Sequence, residues 1–229
     1  MMEKYQPNQL ILLGDNMYAD KKVRFGVFEA ASEADLKYWY GLLDEDRNFR
    51  SLVDSMGGFE SLIATWDDHD FGINDGDGNY PLRNVSKQLF LDFFRVPEDD
   101  RRREIGRLDG VYSAKTFRTS SSFSYKIILF DTRFDKDAYS VKGGDFLGAV
   151  QWKWLEEELA DESVDLILLG SSIQMLPTGK VVEEAWARFP VARQRLLRLL
   201  LSSPIRDVLL LSGDIHTAEI LKVIRSLSI

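Results

Sequence analysis

The feature that most constrains the fold is a series of five short apolar runs, each leading into polar residues. Continuous runs of this length are typical of strands that are covered on both faces. The runs are Leu10–Leu13, Leu62–Thr65, Ile127–Phe130, Leu166–Leu169 and Val208–Leu211. Helical patterns lie between them, at Ala30–Leu43, Lys87–Phe94, Gln151–Leu159 and Ala185–Leu201. This alternation predicts an α/β protein with a largely parallel or mixed sheet.

Size and composition limit the class of protein. The chain has 229 residues, of which 45% are hydrophobic and 29% charged, and we expect one globular domain over residues 1–229. No apolar run approaches the roughly 20 residues that a membrane-spanning helix needs. The net charge of −8 argues against nucleic-acid binding, which needs a basic face. The absence of cysteine excludes disulfides, thiolate metal sites and cysteine nucleophiles.

Aspartates and both histidines of the chain follow three of the apolar runs. Asp15 comes after the first, Asp67-Asp68-His69-Asp70 after the second, and Asp214-Ile215-His216 after the last. Single Gly-Asp or Asp-His pairs often form turns. In open α/β sheets, however, ligands bind at the carboxyl ends of the strands. Three such pairs at strand ends therefore favour one shared pocket.

These residue types suit phosphoester hydrolysis by two metal ions. Two metals about 3.5–4 Å apart can activate water and stabilise charge on the phosphoryl oxygens, and they need carboxylate and imidazole ligands. Asp15 has the position and chemistry to bridge two metals. Asp68 is predicted to be a ligand, and His69 a proton donor or transition-state partner. Asp214 and His216, two residues apart after a buried strand, would place two more metal-capable side chains on the same side of the chain.

Two further residues have both a functional and a structural interpretation. The phenolate of Tyr18 would be a hard oxygen ligand that suits ferric iron, but Tyr18 is equally well read as a packed aromatic residue. The guanidinium of Arg133 matches phosphoryl oxygens and would act as a phosphate clamp. Alternatively, Arg133 pairs structurally with Asp131 or Asp135. The residue pattern leaves both choices open.

Together the motifs resemble the PhoD-like (alkaline phosphatase D) branch of the calcineurin-like metallophosphoesterases. The matching segments occur in the family's order and span nearly the whole chain. They are LLGDNMYAD at 12–20, TWDDHDFGIND at 65–75, SKQLFLDFF at 86–94, LFDTR at 129–133, LGSSIQMLP at 169–177 and LLLSGDIHTAEI at 209–220. The resemblance implies a four-layer α/β/β/α sandwich of two mixed sheets, with a dinuclear site at the strand ends.

The resemblance also implies functional roles. It implies a metal-dependent alkaline phosphatase or phosphodiesterase that uses Fe(III) and Ca(II) and acts on a small-molecule phosphoester. The implied metal ligands are Asp15, Tyr18, Asp68, Asn74, Asp214 and His216. Asp15 would bridge the metals, Tyr18 would bind iron, His69 would face the leaving group, and Arg133 would contact phosphate. A phospholipase-like phosphodiesterase fits the same residues.

Two departures from the family pattern bear on this interpretation. Family members normally carry an earlier strand that ends in a Gly-Ser-Cys motif, whose cysteine binds the iron, and they continue beyond the segment that holds His216. We therefore expect an incomplete domain, with open sheet edges and uncovered apolar surface beside Leu10–Leu13. The polar segment Met1–Gln9 does not resemble a signal peptide, although the family suggests secretory or membrane-associated forms, so the compartment is not predicted. The rival hypothesis is a non-catalytic remnant that keeps the fold and binds a partner or a metal.

Overall fold

The computed structural model describes residues 7–24, 27–104, 110–178, 184–205 and 207–221. This part of the chain contains eight strands and six α-helices. The strands are β1 (Leu10–Leu13), β2 (Lys21–Arg24), β3 (Val27–Glu29), β4 (Leu62–Thr65), β5 (Ser113–Arg118), β6 (Ser124–Leu129), β7 (Leu166–Ser171) and β8 (Val208–Ser212). The helices are α1 (Glu33–Glu45), α2 (Arg47–Ser55), α3 (Asp68–Phe71), α4 (Arg83–Phe93), α5 (Gly148–Leu159) and α6 (Pro190–Ser202).

The strands form two sheets and a separate two-stranded ribbon. One sheet has the order β5-β6-β7-β8, with β6, β7 and β8 parallel and β5 antiparallel to β6. In the other sheet, β1 pairs in parallel with β4, so that Leu10 lies opposite Leu62. The third unit is the β2–β3 ribbon, whose strands are antiparallel. The larger sheet is therefore mixed, whereas the described part of the smaller sheet is parallel.

Side-chain alternation along the strands separates two interior layers in the larger sheet. Ile128 and Leu169 face one way and belong to a core with Trp152 of α5 and Leu196 of α6. Leu129 faces the other way. Successive side chains of a strand point to opposite faces, so one face of this sheet packs on helices and the other is free to meet the second sheet.

The second sheet occupies that other face. Ile63 of β4 and Leu13 of β1 pack in one cluster with Leu129 of β6. The opposite face of β1 and β4 belongs to a separate core that includes Leu36 of α1 and Phe90 of α4. The order of layers is helix, sheet, sheet, helix, which confirms the expected four-layer sandwich.

All five apolar runs form strands, but none of the four predicted helices begins at the residue predicted for it. The last helix begins at Pro190, after a short 3-10 turn over Trp186–Arg188. Proline fixes φ and lacks an N–H, and so it favours the first turn of a helix over its interior. The chain after β4 turns at once into α3, because Asp67 and Asp70 form a reciprocal capping box.

Among the described residues, no helix is long and apolar enough to cross a membrane.

Candidate metal centre

The proposed ligands follow strands whose carboxyl ends lie close together. Asp15 follows β1, and Asp68 begins α3 immediately after β4. Gly14 lets these two exits approach, because a Cβ atom at Gly14 would lie 2.6 Å from the Cβ atom of Asp67. The exit of β8 is also close to β1, since a Cβ atom at Gly213 would lie 3.2 Å from the carbonyl oxygen of Leu13. Three strand ends, remote in sequence, therefore meet at one edge of the sandwich.

Several of the residues at this edge have a strained backbone. Asp15, Asp75, Asp214 and His216 have φ values of 51°, 56°, 76° and 52°. Positive φ is uncommon for residues other than glycine and costs free energy that the surrounding structure must offset. Such strain is often found where side chains are held in position for binding or catalysis.

Tyr18 connects the beginning and the end of the described chain. Its hydroxyl lies 3.1 Å from Asp15 Oδ2 and 3.3 Å from His216 Nε2. The side chain is 42% exposed, so Tyr18 lies at the open side of the site. Burial and the neighbouring carboxylate of Asp15 raise the pKa of the Tyr18 phenol. A metal-bound phenolate at this position would therefore depend on the charge of the cation.

Asp15, Asp68 and His69 form one group of possible metal ligands. One ligand atom from each lies within 4.8 Å of the others. Asp15 Oδ1 is buried and has no hydrogen-bond partner. A buried oxygen without a partner is costly, and a bound cation would satisfy it. These residues therefore fit a metal ion.

Mutual repulsion among the carboxylates supports the same conclusion. Burial and the charge of Asp68 raise the pKa of Asp15. Burial and the charge of Asp68 also raise the pKa of Asp214 to about 7. Crowded carboxylates take up protons when no cation compensates their charge, so the site is electrostatically suited to a cation.

His69 is held by a buried carboxylate that the sequence analysis did not single out. His69 Nδ1 lies 2.7 Å from Asp20 Oδ1, and Asp20 Oδ2 accepts a hydrogen bond from the backbone N–H of Asn74. Burial alone lowers the pKa of His69, but the hydrogen bond to Asp20 and the charges of Asp68, Asp20 and Asp15 outweigh it and raise the pKa to about 9. The ring of Tyr18 stacks on that of His69 at 4.1 Å. With Nδ1 engaged, Nε2 is the ring nitrogen left for substrate or metal.

Arg133 does not reach the open site. Its side chain is fully buried, and its Nε donates to Asp67 Oδ1 at 2.7 Å. Its terminal nitrogen lies 2.5 Å from both Asp67 Oδ1 and Glu184 Oε2. The observed partners of the guanidinium are thus Asp67 and Glu184, and not the side chains of Asp131 or Asp135. A phosphoryl group could reach Arg133 only if this ion-pair cluster opened.

Asn74 contacts the residues of the site through its backbone. The described hydrogen bond from Asn74 is that of its main-chain N–H to Asp20, and the N–H of Asp75 donates to Asp68 Oδ2 at 2.7 Å. This segment therefore orients both Asp20 and Asp68, whereas the Asn74 side chain remains a predicted ligand without a described metal-facing contact.

Two further acidic residues that were not predicted as site residues are buried beside the proposed ligands. Asp70 is fully buried and accepts hydrogen bonds from the backbone of Asn16 and of Asp67, which ties the β1 exit to the β4 exit. Asp70 stands inside the DDHD motif, so the sequence carried a signal for it. Glu184 forms a second group of three possible ligands with Asp68 and Asp75. However, the positive charge of Arg133 already compensates the carboxylate of Glu184, and Glu184 is therefore a poorer metal ligand.

Comparison with known proteins agrees with the geometry. A family comparison matches residues 103–226 to the PhoD-like phosphatases. The chain belongs to this family. A search of curated proteins found no match. The matched segment includes Asp214 and His216, while Asp15 and Asp68 precede it.

A solved structure entitled "Structure of PhoD" has the same fold. The two chains superpose with a TM-score of 0.68 at 18% sequence identity, over 94% of this chain and 47% of the other. This PhoD-like chain therefore spans about half the length of the structure that it matches. At this identity the comparison establishes the fold and leaves the chemistry to be argued from the site.

Proposed function

We propose that this PhoD-like chain forms the site of a metal-dependent phosphoester hydrolase with a dinuclear centre. One observation carries the proposal: the buried, unpartnered Oδ1 of Asp15 lies at a junction of strand ends where Asp68, His69 and His216 converge. Membership of a phosphatase family supports the reaction class. The substrate would be a small-molecule phosphomonoester or phosphodiester.

The chemical types of the ligand atoms indicate which metals the site would bind. Carboxylate oxygens suit hard cations such as Ca²⁺, and a phenolate from Tyr18 suits ferric iron. We propose Fe(III) and Ca(II), held by Asp15, Tyr18, Asp68, Asp214 and His216, with Asn74 as a further candidate. When bound, such ions would activate water and neutralise charge on the phosphoryl group.

The protein residues would position and protonate the substrate. His69 would donate a proton to the leaving-group oxygen from Nε2, because Nδ1 is bonded to Asp20. Asp20 acts on the substrate through His69 and is therefore a positioning residue. The buried Arg133 would hold Asp67, the residue before Asp68, and so fix where the β4 exit places its ligand.

Metal content and hydrolysis together test the proposal. We expect the purified chain, reconstituted with iron and calcium, to bind two metals and hydrolyse bis-p-nitrophenyl phosphate or p-nitrophenyl phosphate. Asp15→Asn should lose metal and lower turnover on the order of 10²–10³-fold, as for the loss of one catalytic electrostatic contact. Asp99→Asn, at an exposed carboxylate outside the site, is the matched control and should change neither quantity.

A folded chain that binds no metal and hydrolyses neither ester would overturn the proposal. That result would favour the non-catalytic alternative, in which the same fold serves as a binding module. If the chain binds metal but hydrolyses neither ester, the assignment of the metal ligands is supported and the proposed hydrolase activity is wrong.

A further inference from the structure

The β2–β3 ribbon lies beside the site but belongs to neither sheet. Its strands pair with each other, and their described residues are exposed except for Phe28, which is partly buried. Val23 and Val27 are 58% and 38% exposed. A salt bridge between Lys21 and Asp35 of α1, 2.8 Å long, joins the ribbon to the body of the protein. Of the ribbon residues that the structure describes, Phe28 is thus the one that faces inward.

Phe28 faces the residue that we place next to the leaving group. The ring centroids of Phe28 and His69 lie 5.5 Å apart, with the ring planes tilted by 53°. Tyr18 stacks on the same imidazole at 4.1 Å. Among the described residues, His69 therefore has two aromatic neighbours, one from the β1 exit and one from the ribbon, while its Nδ1 is fixed by Asp20.

These contacts place two aromatic rings against the imidazole of His69, although the metal side of the site is acidic. An alcohol leaving group that accepts a proton from Nε2 would lie close to the rings that flank His69. Aromatic rings bind apolar and aromatic groups through buried area and ring–ring contacts. Small aliphatic alcohols would gain much less from the same surface.

We propose that Phe28 is a specificity-determining residue that favours phosphoesters with an apolar or aromatic leaving alcohol. The proposal rests on the proposed function, because it assigns the leaving group to the His69 side. Phe28 contacts the departing alcohol and takes no part in proton transfer. Its contribution is therefore to ground-state binding and appears mainly in KM.

The test compares two leaving alcohols of similar acidity, so that a difference in the rate of the chemical step does not mask a difference in substrate binding. Benzyl and ethyl esters are offered as phosphate monoesters and as methyl phosphodiesters, and release of the alcohol is measured. For Phe28→Ala we expect KM for the benzyl ester to rise about 10–20-fold, at the lower end of the range for losing apolar contacts in a pocket. The KM for the ethyl ester and kcat for both should stay within about twofold.

Two further variants separate recognition from anchoring of the ribbon. Phe28→Leu keeps apolar bulk and should retain part of the benzyl preference. Val27→Ala lies on the opposite face of β3, because side chains alternate along a strand, and should leave the preference unchanged. Equal losses for benzyl and ethyl esters in Phe28→Ala and Phe28→Leu would overturn the proposal and show that Phe28 only anchors the ribbon. Wild-type protein that hydrolyses none of the four esters would instead count against the proposed function itself.

Discussion

Asp20 decides which nitrogen of His69 would face a substrate in the proposed reaction, since its carboxylate lies 2.7 Å from Nδ1. The two residues are 49 positions apart in the chain. Partners of this kind orient an imidazole and set its basicity, and their loss typically costs 10–100-fold in activity or affinity. The chemistry attributed to His69 therefore depends on two residues.

Asp20→Asn should lower kcat about 10–100-fold while metal content stays near that of the wild type. The amide can still occupy the position beside Nδ1 but cannot supply the negative charge. Steady-state kinetics with metal analysis would show the separation. Loss of metal equal to that in Asp15→Asn would contradict the positioning role of Asp20.

The same variant should change the pH dependence in a definite direction. The pKa of His69 is raised to about 9, so the imidazolium that donates a proton is present below that pH and is lost as the pH rises through it. Without the charge of Asp20, the pKa of His69 falls. The alkaline limb of the kcat profile should therefore move to lower pH in Asp20→Asn, and an unchanged limb would remove His69 as the proton donor.

Among the elements, the exits of β4 and β6 are joined by a buried ion-pair cluster. Arg133, after β6, pairs with Asp67, after β4, and with Glu184. Lys136 lies 3.5 Å from Glu184 Oε1, and the Tyr139 hydroxyl donates to the same oxygen. A buried charge without its partner is strongly destabilising, so the cluster fixes the spacing of the two sheets at the site.

Arg133→Met should lower the free energy of unfolding by about 3–5 kcal/mol, because it leaves the buried carboxylates of Asp67 and Glu184 without the guanidinium that they share. Urea denaturation followed by circular dichroism would measure the change. The control is Arg95→Met, which removes a half-exposed arginine 3.2 Å from Asp44 and should cost at most about 1 kcal/mol. Similar costs for both variants would contradict the structural role of Arg133.

Gly14 sets the approach of β1 to β4. Its φ is 109°, and a Cβ atom would lie 2.6 Å from the Cβ atom of Asp67. Gly14→Ala should therefore separate Asp15 from Asp68 and weaken metal binding at least tenfold, as measured by calorimetric titration. Gly41→Ala in α1 is the matched control, because a Cβ atom there meets no heavy atom within 4 Å. It should leave metal binding unchanged and stabilise the helix by roughly 0.5–1 kcal/mol.

For the whole molecule, the proposed metal binding would join strand ends that are distant in sequence. A ligand that binds only the folded state stabilises it, by about 2.7 kcal/mol at a hundredfold excess over Kd. We expect added metal to raise the Tm by roughly 5–10 °C for a domain of this size. A chelator should reverse the shift, and Asp15→Asn should show none. A metal-dependent shift of equal size in Asp15→Asn would place the metal elsewhere.

Much of the fold was predictable because strand formation depends on local pattern. The apolar runs at Leu10–Leu13 and Leu62–Thr65 coincide with β1 and β4. The short strands β2, β3 and β5 were missed, since they are largely exposed and lack a continuous apolar run. Their pairing is decided by partners across the sheet or ribbon and not by local composition.

The sequence by itself determined the α/β class, through the alternation of strand and helix patterns. It also determined that Asp15, Asp68 and His216 follow the ends of strands. The tertiary structure decided what surrounds them. It buried Arg133 between Asp67 and Glu184, gave His69 its partner Asp20, and brought Phe28 against the same ring. These contacts join residues that lie between 41 and 66 positions apart in the chain. Burial, charge compensation and ring contacts across such separations depend on how the layers pack, which no local pattern encodes.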